Sequence, residues 1–173
     1  MSAIPYLDAY WVLPGQFLAG PYPGALDDES ARRKIRSLIN AGIHCVVDLT
    51  RPPDINYPYN SLLQEEARDY GIEVEWLNFQ INDYDIPGIV LMRQILDTID
   101  EHVNSGKPVY VHCEGGIGRT GTVVGCYLVR HGLAGAQALT HLEFLRKDTD
   151  NWWHRSPESD LQIEFIKKWH VGR

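Results

Sequence analysis

The chain has 173 residues, 44% of them hydrophobic and 23% charged, which suits a single globular domain over 1–173 that needs neither disulfide nor metal to hold its core. Sixteen basic residues against 23 acidic ones give a net charge of −7, so the broad basic footprint of a nucleic-acid binder is absent. Three cysteines, Cys45, Cys113 and Cys126, contain no C-x-x-C pair; they exclude a disulfide framework or zinc ribbon and suit a reducing, cytoplasmic setting.

The opening stretch, MSAIPYLDAYWVLPG, has no basic segment leading into an apolar core, so no signal peptide is expected. Nowhere does the chain approach the roughly 18 uncharged apolar residues of a transmembrane helix. From Tyr10 to Gly24 two short apolar runs flank Pro14-Gly15 and predict a small hairpin. Asp27-Asp28-Glu29-Ser30 supplies a cap and first-turn acids, Ile35, Leu38 and Ile39 follow at helical spacing, and Gly42 ends that helix. Ile43–Leu49 is a β-branched run that reads as a buried strand. Arg51-Pro52-Pro53-Asp54 then predicts a loop, Asn60–Tyr70 a helix, Ile72–Leu77 a strand, and Phe79–Gly88 a loop carrying Asp83 and Asp85. Ile89–Asn104 is a long amphipathic helix, Val109–Val111 a strand, Cys113–Gly118 a glycine-rich loop and Thr120–His131 a helix. Two further helices, Gly135–Lys147 and Ser159–His170, are expected around a polar loop with Trp152, Trp153, His154 and Arg155. Strands alternating with helices predict an α/β fold with a central, mostly parallel sheet flanked by helices and an N-terminal hairpin.

Residues 112–121, HCEGGIGRTG, carry the chemistry. They sit between a predicted strand and a predicted helix, where such sheets bind ligands. Gly115, Gly116 and Gly118 let backbone amides turn inward at a helix N-terminus and so form an anion cradle. Arg119 adds a planar fork suited to two phosphate oxygens. The same features stabilise a thiolate, so Cys113 stands at a phosphate site as a nucleophile able to form a thiophosphate. Stabilised equatorial oxygens are what phosphoryl transfer requires. Gly116-x-Gly118-x-x-Gly121 also fits the dinucleotide fingerprint of an oxidoreductase, but late in the chain and with no role for Cys113 or Arg119. The loop does not fit GxxxxGKS/T.

The decapeptide resembles the signature of the cysteine-based protein tyrosine and dual-specificity phosphatases, HC-x5-R-S/T-G, at every fixed position: His112, Cys113, Arg119, Thr120 and Gly121. By order and spacing the resemblance extends over roughly residues 10–170. It implies a phosphoric monoester hydrolase in which Cys113 is the nucleophile and the Glu114–Arg119 loop (Glu114, Gly115, Gly116, Ile117, Gly118, Arg119) binds phosphate. It further implies that Thr120 assists breakdown of the thiophosphate and that His112 orders the loop. The family's general acid is an aspartate on a mobile loop about thirty residues before the cysteine. Asp83 lies thirty residues before Cys113, shortly before Pro87, and Asp85 is its competitor. Gln162 stands in a C-terminal segment where some members place a glutamine that positions the hydrolytic water, although its helical position reads as exposed. No metal or cofactor is implied, and the seven histidines show no paired ligand spacing.

A phosphorylated protein or peptide is the implied partner, with phosphotyrosine the expected substrate and phosphoserine and phosphothreonine open. The loop has no lysine, and Glu114 would repel a highly charged inositol ring; the HCE opening nonetheless resembles phosphatases acting on phytate, so an inositol phosphate stays an alternative. A non-catalytic phosphotyrosine-binding module is the other, although a binder needs no nucleophile. Tyr22, Tyr57, Tyr59 and Tyr84 lie in loops that could wall the pocket, and Arg51 could add positive potential at its mouth. Cys45 and Cys126 read as small core hydrophobes. Cys45 sits at the start of its strand, away from Thr50 where a disulfide partner for Cys113 would belong.

Overall fold

The structure is a computed structural model that describes residues 5–6, 8–54 and 57–172. Residues 1–4 and 7, part of the stretch read for a leader, lie outside the described residues. The hairpin forms as β1 (Tyr10–Leu13) and β2 (Phe17–Gly20), turned by Gly15 at φ 71°. Helix α1 (Asp28–Asn40) starts where the Asp27 carboxylate accepts a bond from the Ser30 N–H at 2.8 Å. Strand β3 (Cys45–Asp48) leads through a short 3-10 turn at Pro52–Asp54, inside the expected loop, into α2 (Asn60–Asp69). Strand β4 (Glu75–Asn78), α3 (Ile89–Asn104), β5 (Val109–His112) and α4 (Gly118–Arg130) follow, then α5 (Gly135–Arg146) and α6 (Asp160–Lys167).

Among the described residues five strands lie in the order β1-β2-β5-β3-β4, and only the β1–β2 pair is antiparallel. Strand β5 is central and buried throughout, as its uninterrupted Val-Tyr-Val requires. One face of the sheet packs on α1 and α2, through Ile35, Leu38, Val46, Leu63 and Tyr110. The other packs on α3–α6, with Ile95, Ile99, Val123, Leu142 and Ile166 among its buried residues. Helix α4 is enclosed along almost its whole length.

This layering places the site. The chain leaves β3 toward α2 on one face and leaves β5 toward α4 on the other. Adjacent parallel strands whose connections diverge leave a crevice beyond their carboxyl ends. Cys113 follows β5 directly, at that crevice. Cys45 and Cys126 are buried in the core, and burial pushes the Cys45 thiol up to about 12. Among the described residues no helix is long and apolar enough to cross a membrane.

Helix α5 starts hard against α6: a β-carbon on Gly135 would lie 2.5 Å from the Lys167 Cα and 3.0 Å from the Ile166 carbonyl. Backbone cannot yield there as a side chain could. Gly135→Ala should therefore cost about 1–3 kcal/mol, read as a lowered urea midpoint with an unchanged m-value.

Candidate active site

The Cys113–Gly118 loop is held from outside by its backbone. The Leu49 N–H donates to His112 O at 2.9 Å, and the Tyr22 N–H donates to Glu114 O at 2.9 Å. Gly116 has φ 70°, where other residues are strained, and a β-carbon there would sit 2.5 Å from the Gly20 carbonyl carbon. The loop can thus follow its tight path only with glycine at 116. Beyond it, Ser156 Oγ donates to Ile117 O at 2.7 Å and ties the loop to the segment before α6.

His112 is wholly buried under the loop. Trp76 Nε1–H donates to the Tyr59 hydroxyl at 3.1 Å, which leaves the Tyr59 proton for His112 Nε2 at 2.6 Å. His112 Nδ1–H then donates to Cys113 O at 3.1 Å. This network assigns a neutral, Nδ1-protonated ring. Burial lowers its pKa below the ordinary value, and Arg119 pushes the same way; Asp48 and the Cys113 carbonyl only partly oppose them. Tyr59 supports the loop from behind and does not line the cavity; the buried Tyr22, whose ring meets Tyr59 and His112 edge-on, backs the loop and also contributes to the cavity wall. Tyr57 and Tyr84 are the exposed pair. A cavity of about 260 Å³ opens beside Glu114, lined in part by Tyr22, Tyr57, Lys34 and Asp54.

Arg119 is 2% exposed. Its Nη1 donates to Asp54 Oδ2 at 2.5 Å and to Ile81 O at 3.1 Å, and its Nη2 lies 3.2 Å from Asp83 Oδ1. Burial works against the guanidinium charge, but Cys113, Asp54 and Asp83 outweigh it and hold the pKa above the usual value. Asp54 in turn sits below the carboxylate range: burial would raise it, and the bonds from Arg119 and the Arg51 N–H prevail. Arg119 Nε and Thr120 Oγ1 are buried and make no hydrogen bond among the described residues. A buried donor without a partner is costly, so both are groups an anion or a thiolate could satisfy.

The two candidate acids part company. Asp83 faces Arg119 and is 46% exposed. Asp85 is bound into its own loop: it accepts from the Ile86 N–H at 2.8 Å and from Asn82 Nδ2 at 3.2 Å, and these bonds lower its pKa. Between them Tyr84 takes φ 57°, an unfavourable region for a bulky residue. The loop is fastened to α6, where Ser159 Oγ donates to Tyr84 O at 3.0 Å and Gln162 Nε2 donates to Asp85 O at 3.1 Å.

Gln162 is not the exposed residue its helical position suggests. It is fully buried: its Oε1 closes a capping box with Ser159 and accepts from the Glu158 N–H, and the Asp83 loop covers its Nε2. Arg51 does not stand free at the mouth; it donates to the Asn82 side chain and so braces the Asp83 loop. Asp54, Ser156 and Glu158 join the site without a motif to announce them. Glu158 abuts the loop so closely that a β-carbon on Gly118 would lie 2.3 Å from its Oε2.

The family model described as "Polymorphic toxin system, DSP-PTPase phosphatase" matches residues 25–133. A curated relative named phosphatidylglycerophosphate phosphatase PTPMT2, from Arabidopsis thaliana, is 32% identical over 117 residues, 66% of this chain and 48% of that one. Dual specificity protein phosphatase CDC14A of Homo sapiens is 27% identical over 154 residues, 80% of this chain and 21% of that one. The chain thus spans less than half the length of either relative. The crystal structure of Tk-PTP in the active form matches with a TM-score of 0.73 at 25% identity, covering 95% of this chain and 97% of that one. The chain belongs to the DSP-PTPase family of cysteine-based phosphatases.

Two outcomes follow from the His112 network. Tyr59→Phe leaves the Trp76 N–H and His112 Nε2 without their partner and should cost about 1–3 kcal/mol in denaturant unfolding. A folded pKa below the unfolded value means that the unfolded chain takes up the proton first on acidification. The His112 contribution to stability is therefore complete above about pH 6.5 and falls as the pH drops toward the folded value, by at most about 1.4 kcal/mol per unit. NMR of the imidazole nitrogens should show the Nδ1–H tautomer persisting below pH 6.5, and His112→Asn should remove this increment from the pH dependence of unfolding.

Proposed function

We propose that the chain is a protein phosphatase that removes phosphate from phosphotyrosine through a cysteinyl-phosphate on Cys113. The observation that carries this reading is the convergence of Asp83 on Arg119, 3.2 Å away, above the loop that holds Cys113. Nucleophile and anion-binding fork come from one loop, the acid comes from the loop after β4, and all three meet at one crevice.

In the first step Cys113 Sγ attacks phosphorus in line, an S–P bond forms, and the ester O–P bond breaks. Asp83 gives its proton to the departing phenolate oxygen. The inward amides of Glu114–Gly118, with Arg119 Nε and Nη2, hold the equatorial oxygens as charge spreads over them. Thr120 Oγ1, adjacent in the chain to Arg119 and without another partner, is the hydroxyl that stabilises the returning thiolate in the second step. His112 acts through the loop backbone and moves no proton.

Charge argues for a substrate with one phosphate. The loop has no lysine, Glu114 is exposed, and Asp54, Asp83 and Glu158 surround the crevice, so further phosphates on an inositol ring would meet carboxylates. The exposed Tyr57 and Tyr84 offer aromatic surface for a phosphotyrosine ring. A single phosphomonoester on a lipid headgroup fits the same charge pattern, and the PTPMT2 resemblance favours it as the second reading.

Cys113→Ser should abolish turnover of phosphotyrosine peptides while still binding them; retained turnover would refute the cysteinyl-phosphate. Asp83→Asn should slow phosphotyrosine peptides by about 10²-fold or more and spare aryl phosphates with acidic leaving groups, and Asp85→Asn should do neither. A panel of phosphotyrosine, phosphoserine and phosphothreonine peptides, inositol phosphates and phosphatidylglycerophosphate vesicles decides the substrate. Preference for the vesicles would replace the protein reading with the lipid one.

A further inference from the structure

The cavity of about 260 Å³ beside the catalytic loop has no part in the transfer of phosphate itself. Glu114, next in the chain to Cys113, lines it, and so does Asp54, which accepts from Arg119. The cavity therefore adjoins both the nucleophile's loop and the arginine's partner. Its volume lies below the roughly 300–1,000 Å³ of pockets that enclose a separate small molecule. It suits one side chain of a substrate already held by its phosphate.

Most charges on the cavity wall are already paired or offset. Asp54 accepts from Arg119 Nη1 at 2.5 Å and from the Arg51 N–H at 3.1 Å. Asp8 accepts from the Asn151 N–H at 3.1 Å, and its charge offsets that of Lys34. The Lys34 ammonium donates to Gly24 O at 3.3 Å, and burial works against its charge. Glu114 is the exception. The Tyr22 N–H pins its backbone carbonyl at 2.9 Å, while its exposed carboxylate makes no hydrogen bond or ion pair among the described residues. Tyr22 and Tyr57 complete the wall, with ring centroids 6.3 Å apart and planes at 70°. A tyrosine ring attracts a cation through its face. The unpaired carboxylate and the aromatic wall point independently to a positively charged occupant.

On the reading that the substrate is a phosphotyrosine peptide, we propose that this cavity is a specificity subsite for an arginine or lysine side chain flanking the phosphotyrosine, and that Glu114 selects it. The phosphate lies on the loop amides and Arg119. The basic side chain enters beside them, with its charge at Glu114 and its methylene stem along the tyrosines. An acidic flank would meet Glu114, Asp54 and Asp8 at the same place, against Lys34 alone. Glu114 touches the substrate away from the reacting atoms, so it holds ground state and transition state alike. Its selectivity therefore falls on KM rather than kcat.

The test is steady-state kinetics on phosphotyrosine peptides in which an arginine is moved residue by residue along both flanks, with alanine or glutamate at the same place as controls. At a flanking position arginine should lower KM about three- to tenfold relative to alanine at unchanged kcat, and glutamate should raise it. High salt should shrink the difference. Comparing peptides as ratios within each variant cancels any general loss of activity. The arginine-to-alanine ratio of kcat/KM should fall toward unity in Glu114→Gln, and in Glu114→Lys the preference should pass to glutamate. Lys34→Gln should keep or raise the arginine preference. Equal KM for the arginine, alanine and glutamate peptides in the wild type, or an arginine preference that survives Glu114→Gln, overturns the subsite and leaves the phosphatase reading standing. A glutamate preference that Lys34→Gln removes identifies an anion site in its place and overturns it too. No turnover of any phosphotyrosine peptide, beside turnover of phosphatidylglycerophosphate vesicles, overturns the protein reading and the subsite with it.

Discussion

A guanidinium almost wholly withdrawn from water is tolerated only where opposite charge and hydrogen-bond acceptors surround it, and Arg119 sets that requirement for the whole carboxyl edge of the sheet. Removing a single partner from a buried pair typically costs about 3–5 kcal/mol. The partners come from places distant in sequence. Asp54 arrives on the turn after β3, the Ile81 carbonyl and Asp83 on the loop after β4, and Cys113 from the end of β5. Pairing one cation therefore fixes three loops relative to each other. The two carboxylates are not equivalent: Asp54 is 18% exposed and Asp83 is 46% exposed. Asp54 is the more enclosed partner of the guanidinium; in the proposed mechanism Asp83 exchanges its contact for a phosphate oxygen and moves to the leaving group.

The second constraint is mechanical. The loop bearing Asp83 contains a tyrosine at φ 57°, a conformation that would relax if the loop were free. The N-terminus of α6 prevents this through Ser159 and Gln162, and Arg51 braces the same loop from the opposite side through Asn82. The capping box that starts α6 thus has a second effect, since the side chains that begin the helix also position the Asp83 loop. The pattern recurs at Ser156, whose hydroxyl holds the Ile117 carbonyl of the phosphate loop. The short segment Ser156–Gln162 links both halves of the crevice.

These two constraints explain which parts were legible in the sequence. The loop HCEGGIGRTG could be read because its chemistry is local: thiol, amides, guanidinium and hydroxyl all lie within ten consecutive residues. Helix α3 could be read to its ends because an amphipathic period over four turns is a strong signal. Strands β3 and β4 are shorter than their apolar runs, because ladder pairing stops where the neighbouring strand stops, and that boundary depends on tertiary contacts. Asp54 carried no signal of its own beyond an acid in a Pro-Pro-Asp turn. Gln162 was misplaced to the surface although Ser159-x-x-Gln162 is a capping-box pattern; the pattern gives the helix start, and only the approach of the Asp83 loop buries the side chain. Tyr59 was assigned to the pocket wall by its loop position, and a partner fifty-three residues away, His112, turns it inward.

The distribution of charge also bears on what can enter. Positive charge lies at the Arg119 guanidinium in the depth of the crevice and at Lys34 in the cavity beside Glu114, while the surroundings present Glu114, Asp54, Asp83 and Glu158 on a chain of net charge −7. Such a site gains its affinity at short range and little from long-range steering of an anion. On the proposed function, a phosphate on a neutral or basic flank reaches the cradle past carboxylates that attract its surroundings, whereas each added phosphate lies outside the cradle and meets those carboxylates. In the proposed cycle the same arrangement aids departure of the product: inorganic phosphate leaves a guanidinium that Asp83 can pair again at 3.2 Å, so the charge of Arg119 need not be left unpaired between turnovers. A lysine-rich mouth would hold the phosphate product more tightly, and the acidic rim is the arrangement that favours release of a single phosphate.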